Sequence, residues 1–302
     1  MSNWGAIRNR ETLFTILSWF SAAAVYGAII TLVIFLVAKG SDPLVHLRSF
    51  IFGDTPPLAA ILGRQPVWDG IWPAAAGTLL LLLLTLALAI VPGIGCGVFL
   101  ACYAAPRPKY WLGFAVDLLA GIPSIVMGLF GFVLILFLRR TFLPEANTCI
   151  LLAAFCLAIL VLPSLIVATR AAVTAVPENL YVTATALGFT HNRIVARILL
   201  PAASRGILSG VMLALGRAAE DTAVIMLTGV VANAGLPAGL TAKFEALPFL
   251  IYYTAAQYTN EMELARGFGA ATTLLCLSDG LLFCAWIVQY KLNRRWKGTD
   301  TP

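Results

Sequence analysis

Three ionisable residues, Arg217, Glu220 and Asp221, interrupt a stretch that is otherwise apolar from Gly206 to Val231. Arg217 precedes Glu220 by three positions and Asp221 by four, so a helix sets all three on one face. A guanidinium offers a planar fork of donors that matches a tetrahedral oxyanion through two parallel hydrogen bonds. Carboxylates beside it balance its charge and keep an anion from staying bound. Ionisable groups at bilayer depth are costly and face a partner or a water-filled path. The chemistry on offer is the passage of an anion. The plainer reading is a buried ion pair that fixes helix packing. Counting from Gly206 at 1.5 Å per residue, Arg217 falls about 17 Å along the span, near mid-membrane.

A second candidate is Gly121-Ile122-Pro123-Ser124. Proline inside a helix removes a hydrogen bond and can break it. Broken helices present N–H groups to anions. Ser124 either joins such a contact or satisfies the backbone of a packing kink. Asp117 and Asp279 have no evident partner in the sequence and are assigned to packing between helices.

Other chemistries lack their residues. There is no Gly-x4-Gly-Lys-Ser/Thr, and none of Lys39, Lys109, Lys243, Lys291 and Lys297 is followed by Ser or Thr. The chain therefore has no phosphate-binding loop for ATP. His46 and His191 are the only histidines, so a His-Glu-x-x-His zinc site is impossible, and no Gly-x-Ser-x-Gly occurs. The six cysteines lie in or beside apolar runs without metal-ligand spacing and read as small buried hydrophobes. No catalytic or metal site is expected.

The elements that must hold these residues follow from composition. Of 302 residues, 60% are hydrophobic and 11% charged, and the mean hydropathy is +0.91. Soluble domains carry about 25% charged residues. The chain is an all-α integral membrane protein, because its apolar runs are continuous rather than alternating. Six spans are expected: about Leu13–Ala38, within Ile71–Tyr103, Trp111–Leu138, Thr148–Ala168, Gly206–Val231 and Ala265–Tyr290. The first is kept as a mature helix rather than a signal peptide. The net charge of +6 marks cytoplasmic loops rather than nucleic-acid binding. Lys and Arg concentrate at the amino terminus, at Arg107 and Lys109, between the fourth and fifth spans, and in the tail from Lys291. This bias sets both termini in the cytoplasm, with Arg139 and Arg140 as dissenters. The expected layout is a cytoplasmic segment 1–12, a membrane domain 13–290 with a cytoplasmic loop at 169–205, and a cytoplasmic tail 291–302.

That loop is far longer than a turn requires. Pro177 suits the first position of a helix, and Glu178 suits its first turn. Gly188 ends one short helix before another begins, so two short helices are expected to lie across the inner surface. Without further information the segment reads as an interfacial amphipathic loop. Ala184, Gly188, Ile198, Leu200 and Pro201, however, stand in the register Ala, three residues, Gly, nine residues, Ile, one residue, Leu-Pro. This register resembles the coupling helix of binding-protein-dependent ABC importers, with Val182 and Thr183 in place of the pattern's Glu-Ala. The resemblance implies that these five residues dock an ATPase subunit. The absent Glu implies one ion pair fewer with it.

Gly70-Ile-Trp-Pro-Ala, Gly77-Thr78, Ala120-Gly-Ile-Pro-Ser-Ile-Val, Gly128-Leu-Phe-Gly and Gly216-Arg-Ala-Ala-Glu-Asp-Thr-Ala are similar to the phosphate-specific (Pst) branch of those permeases. The short amino-terminal part and Leu247-Pro-Phe-Leu-Ile-Tyr-Tyr favour its PstA type. The resemblance implies a multi-pass permease subunit of the bacterial inner membrane. Its partners would be a PstC-like second permease, two PstB-like ATPases that carry ATP and Mg, and an extracytoplasmic PstS-like phosphate-binding protein. The chain itself would hold no cofactor. Arg217 and Glu220, with Asp221, Thr222 and Ser124, would line the anion's path. The residues alone leave molybdate, tungstate or sulfate open as cargo. They also leave open an ion-coupled transporter with Glu220 or Asp221 as proton site, and a non-transporting scaffold that reports phosphate status.

Overall fold

Apolar runs of 18 to 31 residues cannot leave backbone groups unpaired in hydrocarbon, so they coil into helices. The computed structural model describes residues 3–61 and 70–297. Arg64 and Pro66 lie outside the described residues, as do residues 1–2 and the end of the tail. The side chains of Arg8, Arg10, Arg294, Arg295 and Lys297 do too. Six described helices are long and apolar enough to cross a membrane, and they follow the expected order.

The first is α1 (Asn3–Val45). Two short helices, α2 (Leu47–Phe52) and α3 (Pro57–Ile61), follow between the first two spans. Next come α4 (Trp72–Cys102), α5 (Pro106–Ala120) and α6 (Ser124–Thr141). After α7 (Ile150–Thr174) lie the short α8 (Glu178–Ala186) and α9 (His191–Ile194). A π-helical turn over Val195–Leu199 joins α9 to α10 (Leu200–Glu220). The chain ends with α11 (Ala223–Thr228), α12 (Leu247–Gln257) and α13 (Glu261–Lys297). Among the described residues the only strand-like pairing is an isolated bridge between Val230 and Phe244. The described cysteines are free thiols.

Four expectations need correcting. The third span is not one helix from Trp111 to Leu138. It is broken at Gly121–Pro123 into α5 and α6, and only α6 qualifies as a span. The fifth span does not run unbroken to Val231, because α10 stops at Glu220 and α11 starts at Ala223. The fourth helix continues to Thr174, one and a half turns into the expected loop. Leu247–Gln257, expected within a long connection, is helical, with Pro248 in its first turn.

The most buried span is α7, and α4 and α10 pack along it. Small residues allow the close approach. Side chains at Gly93 and Gly97 of α4 would collide with Leu165 and Thr169 of α7, and a side chain at Gly210 of α10 would collide with Ala168. On its other flank α6 packs against α11 through Gly128 and Gly131, next to Ala223 and Thr228 respectively. Those two helices therefore run parallel. Opposite the α8 end, a Cβ at Gly77 would run into the carbonyl oxygen of Glu245, and Thr78 Oγ1 accepts the Leu247 N–H at 2.8 Å. The Gly77-Thr78 pair thus pins the start of α12 to α4. The outermost span is α1, which meets α13 where Phe35 lies edge-on to Phe268, with ring centroids 5.7 Å apart.

Candidate functional site: the two ends of α10

At the carboxyl end of α10 the backbone leaves the helix at Asp221, where φ is −81° and ψ is 107°. The Asp221 carboxylate accepts the Val224 N–H at 2.8 Å, satisfying a donor in the first turn of α11. This separates the three ionisable residues that the sequence sets on one face. Asp221 is drawn into the break. Arg217 and Glu220 stay on the helix and are exposed. Among the described residues no ion pair or hydrogen bond engages either of their side chains.

Arg217 therefore occupies the last turn of α10 rather than the middle of a continuous span. With Glu220, Ser209, Leu213 and Gly216 of α10, it lines a cavity of about 700 Å³ that Leu282 and Gln289 of α13 close from the side. Gln289 Nε2 donates to Ser209 Oγ at 3.2 Å and to the Arg205 carbonyl at 3.4 Å, tying α13 to α10 at one end of that cavity.

Thr222 is half-buried within the break. Ser124 opens α6 after Pro123, whose carbonyl accepts the Val126 N–H at 3.0 Å. Ser124 does not line the Arg217 cavity. The parallel packing of α6 on α11 sets it one turn before Gly128, level with the Glu220–Thr222 break. Two helix interruptions thus fall at one depth. Asp117 and Asp279 are exposed on α5 and α13.

At the other end of α10 the Gly188 register becomes a compact joint. Gly188 has φ +82°, which favours glycine. Its N–H reaches the Thr185 carbonyl at 2.9 Å, and the Phe189 N–H reaches the Ala184 carbonyl at 3.1 Å, so α8 ends in a left-handed cap. Ala184, Ile194, Val195 and Leu199 are buried together, with Ile198, Leu200 and, from α4, Val98 and Cys102 packed against them. Pro201 lies in the first turn of α10, directly after the π-helical turn. Leu180 and Val182 on α8, and Leu187 just after it, are exposed apolar side chains.

The sequence reading missed how this joint is fastened to α4. The Tyr103 hydroxyl donates to Asn192 Oδ1 at 3.0 Å, and the Tyr103 ring stands edge-on to His191 with centroids 4.9 Å apart. The Tyr181 hydroxyl lies 3.3 Å from His191 Nδ1. No spacing signal could link residues so far apart in the chain. A polar cleft of about 500 Å³ at the opposite end of the molecule was missed too. Glu245, Gln257, Glu263 and Arg266 line it. Burial pushes the Glu245 carboxyl up from its ordinary range, while the N–H groups of Gly235, at 2.7 Å, and Ala234 hold it back.

Six candidate spans and a two-helix joint leading into α10 suit a membrane transport subunit, and at the far end of α10 stands a cation with no partner among the described residues. The chain belongs to the family of binding-protein-dependent transport system inner membrane components, whose pattern matches residues 93–298. It is 31% identical over 242 residues to the phosphate transport system permease protein PstA 1 of Mycobacterium tuberculosis (strain CDC 1551 / Oshkosh), covering 80% of this chain and 77% of that protein. To PstA of Yersinia pestis it is 31% identical over 245 residues, covering 80% and 77%. PstC of Mesorhizobium japonicum is 36% identical over 179 residues, covering 52% of this chain and 54% of that one. The two PstA relatives bear out the PstA-type resemblance. Among solved structures, a bacterial ABC transporter involved in alginate import superposes with a TM-score of 0.61 at 15% identity, covering 96% of this chain and 99% of that one. The MetNI methionine ABC transporter superposes with a TM-score of 0.53 at 19% identity, covering 80% and 99%. Both likenesses concern the fold.

Proposed function

We propose that this chain is one permease subunit of an importer that carries inorganic phosphate into the cytoplasm, driven by ATP hydrolysis on separate subunits. The observation that carries the reading is Arg217, a guanidinium without a partner among the described residues, facing a cavity at a break in α10. A phosphate oxyanion is the ligand that such a fork of donors matches. The names of the relatives favour phosphate over other oxyanions. Glu220 on the same face limits how long the anion stays. Thr222 and Ser124, at the two helix interruptions, supply neutral donors at the same level.

In this reading α8 and α9 face the cytoplasm, as do both termini, in the inner membrane. The outer face of α8 docks on an ATPase subunit that binds ATP and Mg. Because α9 runs through the π-helical turn into α10, a push on the joint moves the helix that bears Arg217. A second, PstC-like permease covers the exposed face of α10, and a PstS-like binding protein delivers phosphate from outside.

The test is uptake of radiolabelled phosphate by phosphate-starved cells with and without this chain, in the presence of excess molybdate or sulfate. Loss of high-affinity uptake without the chain, with no effect of the competitors, is the expected result. Unchanged phosphate uptake overturns the substrate. Uptake that collapses with an uncoupler yet survives a block of ATP hydrolysis overturns the energy source.

A further inference from the structure

The cavity beside α10 holds a cation and a carboxylate three residues apart. Arg217 and Glu220 both line it, both are exposed, and among the described residues neither side chain has an ion pair or hydrogen bond. Helix neighbours at this spacing stand about 5–6 Å apart at their Cβ atoms, close enough to pair. Here both stay open to whatever enters. The other polar side chains of the wall are Ser209 and Gln289, about 12 Å down the helix from Arg217. They are engaged with each other at 3.2 Å. Asp221, the second carboxylate near the break, is taken by the Val224 N–H at 2.8 Å. Glu220 is thus the one carboxylate in the wall, and Met212, Leu213, Gly216 and Leu282 make the rest of it apolar.

An ionised carboxylate accepts hydrogen bonds and cannot donate them. Beside a guanidinium it treats oxyanions unequally. Near neutral pH inorganic phosphate keeps a proton on an oxygen, whereas sulfate and molybdate keep none. A phosphate can therefore accept from Arg217 and donate its own O–H to Glu220. A bare dianion can only accept, so it meets Glu220 as like charge against like charge. The apolar wall lowers the local dielectric and enlarges that penalty. A site that hydrogen-bonds a ligand's O–H rejects analogues lacking it far more strongly than a site that senses size alone.

We propose that Glu220 is a specificity-determining residue, which admits only oxyanions that carry a proton. The phosphate O–H donates to the Glu220 carboxylate while other phosphate oxygens accept from Arg217, and the proton stays on phosphate throughout. This rests on the reading of Arg217 as an anion contact. It supplies what the residue types alone leave open, a reason for phosphate over sulfate or molybdate. Arsenate, which also keeps a proton near neutral pH, belongs with phosphate.

The test uses the assembled transporter without its binding protein, so that no other selective site precedes the cavity. Radiolabelled phosphate binding is measured at neutral pH by equilibrium dialysis, with sulfate, molybdate and arsenate as competitors. Binding that survives Arg217→Ala is subtracted as belonging to the ATPase subunits. Arsenate is expected to compete within a few-fold of unlabelled phosphate, and sulfate and molybdate at least about 100-fold more weakly. Glu220→Gln, whose amide can donate to a bare dianion, should cut that preference to less than about tenfold. Glu220→Asp keeps an acceptor-only group and should retain most of it. Co-purification of the ATPase with Glu220→Gln serves as the folding control, and the wild-type ranking stands as a test even if that variant fails to assemble. Sulfate competing as well as arsenate in the wild type overturns the proposal, and Arg217 then remains an anion contact. An unchanged ranking in Glu220→Gln, with all anions weakened together, also overturns it, since a packing role alone would do that. If Arg217→Ala removes no phosphate binding, the cavity is not the anion's site, and the proposed function loses its carrying observation as well.

Discussion

The two ends of α10 are built on opposite terms. At the α8 end, the residues of the Gly188 register are held by their own chain. Ala184 is buried at 3% exposure, Gly188 is set by its cap, and Tyr103 and Asn192 fasten the joint to α4. At the far end, Arg217 and Glu220 stand exposed beside a cavity, and Asp221 has turned away to serve α11. A charged side chain facing lipid costs about 2.5–3.5 kcal/mol at mid-bilayer on insertion scales. The Arg217 face is therefore one that water, an anion or another subunit completes. The contrast teaches that the first region is completed by its own chain, whereas the second leaves its charges exposed beside a cavity.

The largest effect is expected at the exposed charges. Arg217→Ala should reduce phosphate uptake by at least about 100-fold, the cost of roughly 2.7 kcal/mol of lost charge stabilisation, while co-purification with the ATPase stays unchanged. Arg217→Lys keeps the charge but not the fork and should fall between the two. Wild-type uptake by Arg217→Ala would remove the residue from the path.

At the α8 end the order of effects should reverse, with docking failing first. Gly188→Val forces a β-branched residue to φ +82°, at a cost of at least about 1–2 kcal/mol. ATPase co-purification should fall several-fold, and Gly188→Asn should restore much of it. If Gly188→Val docks normally, the cap is not what positions α8.

Asp221 separates the two regimes within a few residues. Asp221→Asn keeps an acceptor for the Val224 N–H and should transport nearly normally. Asp221→Ala should lower stability by about 1 kcal/mol, the usual worth of a helix-start acceptor. A loss of transport in Asp221→Asn with stability intact would return this carboxylate to the anion path. The smallest effect belongs to Tyr103→Phe, which loses the hydrogen bond to Asn192 but keeps the ring against His191. A destabilisation of about 0.5 kcal/mol is expected for one partly solvated hydrogen bond, read as a slight drop in the melting temperature of the complex.

Much of the fold could be read in advance because membrane spans announce themselves by apolar length. Trp72–Cys102 falls within one residue of its expected limits at each end. The breaks were harder. Pro123 hinted at the interruption between α5 and α6, and the helix does stop there. Nothing local in Glu220-Asp221-Thr222 says that α10 ends. An aspartate in that position either continues a helix or accepts an N–H ahead of it, and α6 packing on α11 through Gly128 and Gly131 favours the second. Leu247–Gln257 was lost among prolines, although Pro248 is a helix starter once Thr78 receives the Leu247 N–H.

By itself the sequence determined the class of molecule, the number and order of the six spans and the helix end at Gly188. Each depends on composition or on spacing within one helix or turn, where physics acts over a few residues. Only the tertiary structure decided that Asp221 parts from Arg217, that Gly77 makes room for Glu245, and that Tyr103 reaches Asn192. Those outcomes depend on which surfaces of distant helices meet, and close packing between helices is a property of pairs of segments that no single stretch encodes.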